Sequence, residues 1–87
     1  MTYQIRITEK ILKKIAKPPR KEKERLVQSI DSLAEEPRPK GCKKLKRNRT
    51  PSCYRIRSGN YQVVYSIQDE VLLILVVEVG HRKDVYQ

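Results

Sequence analysis

The chain has 87 residues, 20 of them Lys or Arg against 10 Asp or Glu, for a formal net charge of +10. That length makes one small domain over residues 1–87 and leaves no room for a second core. The longest apolar run, residues 71–77, is too short to cross a bilayer, two cysteines and one histidine make no zinc pattern, and charges fall where a secretory leader is apolar.

A cytoplasmic chain with free thiols is therefore expected. Tyr3, Ile5 and Ile7 alternate with Gln4, Arg6 and Thr8, the period-two signature of a half-buried strand. Thr8 then caps a helix with Glu9 in its first turn. Ile11, Leu12 and Ile15 mark the buried stripe of that helix, and Pro18 with Pro19 ends it. A second helix starts near Pro19 and carries Leu26, Val27, Ile30, Leu33 and Ala34 at helical spacing, closed by Pro37 and Pro39. The two make an antiparallel helical hairpin. Residues 41–52 read as a basic loop.

The segment CYRIRSGNYQVVY, residues 53–65, pairs with itself around a two-residue turn at Gly59 and Asn60. Ser58 then faces Tyr61, Arg57 faces Gln62, Ile56 faces Val63, Arg55 faces Val64 and Tyr54 faces Tyr65. This register puts Tyr54, Ile56, Val63 and Tyr65 on one face and Arg55, Arg57 and Gln62 on the other. A slip by one residue would mix the two sets. Asp69 and Glu70 turn the chain into VLLILVVEV, an apolar strand expected at the sheet centre, buried on both sides and broken by Gly80. His81 reads as a turn residue, and Val85 with Tyr86 as a short last strand. The expected class is α+β: an N-terminal strand, a helical hairpin, then an antiparallel sheet of three to four strands.

Charge is concentrated in one segment. Residues 37–68 hold nine Lys or Arg and no Asp or Glu, leaving eleven basic and ten acidic side chains for the other 55 residues. A one-signed field of that density attracts polyphosphate by releasing counterions, and RNA is the leading partner. Lys43, Lys44, Lys46, Arg47 and Arg49 form a phosphate-tracking surface that positions RNA without reading its sequence.

The order of elements, with CYRIRSGNYQVVYSI followed by VVEVGHRKDVYQ, resembles the RelE/ParE superfamily of bacterial toxins. Within it the resemblance is to the RelE branch, the ribosome-dependent mRNA interferases. It implies that Arg55 and Arg57 stand at two basic strand positions around the scissile phosphate. It likewise implies that Arg82 is the active-site Arg after the glycine and Tyr86 the C-terminal catalytic Tyr. Gln62 stands where the best-known pattern has an active-site Arg, so Gln62→Arg is expected to speed cleavage. His81, the single histidine, is a further acid or base candidate.

The chemistry so implied uses the RNA's own 2′-OH and calls for no metal and no cofactor. Guanidinium forks of Arg55, Arg57 and Arg82 match phosphate oxygens and stabilise the charge of the phosphorane. Nearby cations favour the ionised form of Tyr86, which makes it the better base. The implied partners are a cognate antitoxin and the ribosome, with mRNA in its decoding site. Two other readings stand beside this one: a ParE-like inhibitor of DNA gyrase, and a non-catalytic RNA-binding module.

Overall fold

The computed structural model describes residues 2–45 and 53–81. Strand β1, Gln4–Ile7, is followed by helix α1, Glu9–Ala16, and helix α2, Arg20–Ser32. The Thr8 hydroxyl accepts the Ile11 amide at 3.4 Å, so the expected cap is in place. Pro19 precedes the first residue of α2, where its missing N–H leaves no intrahelical bond unmade. Ile11 and Ile15 of α1, with Leu26 and Ile30 of α2, are buried. Leu12, 50% exposed, and Val27, 38% exposed, fall outside that stripe. The physical reason is helical geometry: each lies about 100° around the axis from the residue before it. Resting on a sheet, a helix buries mainly its i and i+4 positions.

After the helices come β2, Lys43–Lys44, β3, Cys53–Ser58, and β4, Tyr61–Gln68. A short 3₁₀ turn, Asp69–Val71, leads into β5, Leu73–His81. The strand order is β1-β5-β4-β3-β2, all neighbours antiparallel except β1, which runs parallel to β5. The sheet is thus five-stranded and mixed. Part of the expected basic loop is a strand, since Lys43 and Lys44 pair with Arg55 and Tyr54.

The expectation for VLLILVVEV is corrected at three points. The strand starts at Leu73 after the 3₁₀ turn, and it continues through Gly80 to His81 because Gly80 keeps its pairing with Gln62. Its second face is only partly covered, with Leu73 and Leu75 half-buried and Val77 exposed. The central strand is instead β4, buried continuously from Gln62 to Ile67 despite the polar Gln62 and Ser66. A run of apolar residues signals burial, but position in the sheet decides how much. The sequence-expected last strand at Val85 and Tyr86 lies outside the described residues.

Between β4 and β5 the pairing shifts, with Val64 opposite Glu78 but Tyr65 opposite Val76. The extra residue is Val77, a bulge that bends β5. Beside it Glu78 reaches Lys14 of α1 at 2.5 Å, which holds its carboxyl below the usual range. One core joins Ile11, Ile15, Leu26, Ile30 and Leu33 to Ile56, Val63, Tyr65, Ile67, Ile74, Val76 and Val79.

The chain leaving α2 is tied down by polar contacts. Arg38 binds both oxygens of Asp69, at 3.3 and 2.9 Å, and lies 5.2 Å from the centre of the Tyr54 ring. The Tyr3 hydroxyl donates to Asp69 at 2.6 Å, and the Tyr65 hydroxyl donates to the Pro37 carbonyl at 2.7 Å. The Arg38 bonds, followed by that of Tyr3, hold the Asp69 carboxyl below the usual carboxylate range. A lowered folded value means that the unfolded chain binds the proton more readily. The stabilisation is therefore present above the ordinary carboxylate pKa, about 4, and is lost as pH falls through the lower folded value. The gap in thermal midpoint between wild type and Asp69→Asn should be widest near neutrality and close below about pH 4. Melting curves across that range check it, and a gap that does not change with pH would refute it.

Candidate active site

The β3–β4 hairpin has the expected register at every pair. Cα partners are Tyr54 and Tyr65, Arg55 and Val64, Ile56 and Val63, Arg57 and Gln62, and Ser58 and Tyr61. Gly59 has φ +59°, and Leu72 is the one described non-glycine residue with positive φ. Glycine at the first central position, followed by Asn60 at negative φ, fits a type II′ turn, whose twist matches the strands it joins. Ile56, Val63 and Tyr65 face the helices. Because side chains alternate, Arg55, Arg57 and Gln62 project from the other face.

Two rows cross that face. Lys43 lies opposite Arg55, Arg55 opposite Val64, and Val64 opposite Glu78. Two residues along, about 7 Å away, Arg57 lies opposite Gln62 and Gln62 opposite Gly80. Like charges directly opposite each other across a strand pair destabilise a sheet, so Lys43 beside Arg55 costs folding free energy. The row ends in one carboxylate, Glu78, and that group is held by Lys14. Among the described residues the face is therefore electropositive and suited to an anion.

Burial differs from the open polar face that the sequence suggests. Arg57 is exposed, whereas Arg55 is 8% and Gln62 only 3% exposed. The Gln62 Oε1 atom is buried without a hydrogen-bond partner among the described residues. A buried acceptor left unpaired normally costs free energy.

His81 is the last residue of β5, not a turn residue, and it pairs with Tyr61. The two rings meet edge to face, with centroids 5.4 Å apart. Tyr61 packs against the core, so the register puts His81 on the helix side of the sheet, away from the face of Arg57 and Gln62. The structure thus brings together Arg55, Arg57, Gln62 and Lys43 and sets His81 apart from them. Lys44 pairs with Tyr54 and alternates to the other face from Lys43. Arg82, Tyr86, Lys46, Arg47 and Arg49 lie outside the described residues.

Comparison with known proteins settles the lineage. A family model described as the ParE toxin of type II toxin–antitoxin systems matches residues 5–86. The chain belongs to this toxin family. The mRNA interferase toxin RelE of Escherichia coli K12 is 32% identical over 85 residues, covering 95% of this chain and 86% of the relative. The archaeal RelE–RelB complex from Pyrococcus horikoshii contains a chain with TM-score 0.83 and 28% identity, over 94% of this chain and 97% of that one. The isolated E. coli RelE toxin aligns with TM-score 0.73 and 31% identity, over 97% of this chain and 90% of that one.

Within this toxin fold, the burial of Gln62 adds a stability cost to the substitution that the sequence does not show. Arg at that position would bury a cation directly opposite Arg57 on a face already carrying Arg55 and Lys43. Gln62→Arg should therefore destabilise the free protein, by about 1–3 kcal/mol, and not simply restore activity. Chemical denaturation measures this directly. A variant as stable as wild type would show that the side chain escapes to solvent.

Proposed function

We propose that this chain is the toxin of a type II toxin–antitoxin pair and cleaves mRNA on the ribosome. The observation that carries the reading is the alignment of Lys43, Arg55 and Arg57 on one sheet face, in a chain related to an mRNA interferase. Cleavage proceeds by attack of an RNA 2′-OH on the adjacent phosphate, with the proton leaving the 2′-oxygen and the 5′-oxygen protonated as it departs. Arg55 and Arg57, joined by Arg82, stabilise the extra charge on the phosphorane. Tyr86 takes the 2′-OH proton, and its ionised form is favoured by those cations. The ribosome supplies the attack-ready geometry of the message, which offsets the lack of a stronger base.

The partner that restrains the toxin is a cognate antitoxin. Crystal structures of RelE relatives from P. horikoshii, Mycobacterium tuberculosis and E. coli were solved as complexes with antitoxins, which supports that assignment. No helix among the described residues is long and apolar enough to cross a membrane. The site of action is the cytoplasm, where the message is translated.

A second reading follows from the matched family model, whose description is of a ParE toxin. On that reading the protein inhibits DNA gyrase, and the arginines bind a protein surface. Mapping message ends in cells expressing this chain separates the two. Breaks that disappear when ribosomes are kept off the transcript support cleavage. Intact messages with gyrase-linked DNA breaks support the other reading. Arg57 gives the cleaner variant, since it is exposed and its loss leaves no cavity. Arg57→Ala should lower single-turnover cleavage about 10²–10³-fold with an unchanged circular dichroism spectrum. Retention of the wild-type rate would remove Arg57 from the chemistry.

A further inference from the structure

Beside the face that carries the arginines, an open cleft of about 510 Å³ lies between α2, the chain before β2, and β3. Four of its lining residues are cations: Lys40, Lys43, Arg55 and Arg57. Its floor includes Ile56, and the α2 wall is made of Ser29 and Ser32. Those hydroxyls are already directed elsewhere, Ser29 to the Ser58 hydroxyl at 3.3 Å and Ser32 to the Ser29 carbonyl at 2.8 Å. Their contribution is small size, which keeps the cleft open.

A tight turn sets the opposite wall. The Cys42 amide donates to the Pro39 carbonyl at 3.0 Å, with Gly41 at φ +95°. Glycine at that position is what a type II turn requires. The turn carries exposed Lys40 to the rim and leads directly into Lys43, across from Arg55. The C-terminus of α2 brings a partial negative charge of about half a unit. Against the full positive charges of Lys40 and Lys43 that is too little to make the cleft neutral.

We infer that this cleft holds the phosphodiester next to the scissile phosphate, with Lys40 and Lys43 as its contact residues. The inference rests on the RNA-cleavage reading for what lies beside it, but RNA binding in the cleft is measurable without cleavage. Arg55 and Arg57 line the cleft at the sheet edge while their side chains project from the face opposite the helices, so a strand that reaches both passes round that edge. Cations on flexible stems around an open groove fit phosphate oxygens, and they position the strand without reading its bases.

The test uses the full chain and a fluorescent single-stranded RNA decamer with every 2′-OH methylated, which cannot be cut. Lys40→Gln/Lys43→Gln should bind it at least tenfold more weakly. Its plot of log affinity against log salt should be shallower by about 0.7, since one single-strand phosphate contact is lost. Relief of the Lys43–Arg55 repulsion should leave the variant at least as stable as wild type, which separates lost binding from unfolding. Decamers with one uncharged methylphosphonate, moved along the strand, locate the contact. One linkage should weaken wild type and leave the double variant unaffected.

An unchanged salt slope, or methylphosphonate effects that add to the double substitution at every linkage, would overturn the inference. So would a loss confined to binding of an acidic antitoxin peptide, which would make the cleft a protein-docking site. Cleavage of message on programmed ribosomes is scored separately. A wild type that shows the cleft-dependent slope but cuts nothing keeps the subsite and rejects the nuclease reading.

Discussion

The register of the β3–β4 hairpin decides where every charge of the site can point, and burial of Tyr65 is what fixes it. Tyr65 is fully buried among the helices, stacked near Tyr54 at 6.1 Å and bonded to the Pro37 carbonyl. Shifting the pairing by one residue would expel this side chain with Ile56 and Val63 and draw the arginines into the apolar core. The loss would be several large apolar side chains at about 1.5–3 kcal/mol each, far above the cost of the repulsion on the other face. The core thus holds the cations together against their mutual repulsion.

That arrangement separates stability from function across the thickness of one sheet. On the helix side the interior is aliphatic, and the few polar groups there have partners, as Tyr65 does. Facing the other way, Lys43 stands opposite Arg55, Arg55 is nearly buried, and the Gln62 carbonyl oxygen has no donor among the described residues. A face organised for folding alone would avoid both features. Their physical logic appears when an anion is added, because phosphate converts adjacent cations from a repulsive set into a binding site.

Two ion pairs hold the frame around this face. Lys14 with Glu78 fastens α1 to the bulged part of β5, and Arg38 with Asp69 fastens the chain after α2 to the turn before β5. Both pairs are half-exposed, so each adds little to stability by itself. Their larger effect is geometric. The cleft wall formed by Lys40 and Lys43 follows shortly after Arg38.

Sequence alone determined what depends on near neighbours: both helices, the Thr8 cap, the hairpin register, and the concentration of charge in residues 37–68. Helical and strand periods, proline and a glycine turn act within a few residues, so they are legible without a fold. The sequence also placed Arg55, Arg57 and Gln62 on one face, since alternation along a strand is local. Only the tertiary structure decided that β1 runs parallel to β5, because no turn signal joins strands separated by some 70 residues. It also made β4 the doubly buried strand, set His81 on the helix side, and paired Lys43 with Arg55. Burial of Gln62 and the cleft beside Lys40 arise where distant segments pack together. Such proximity is a property of the assembled sheet and leaves no periodic trace along the chain.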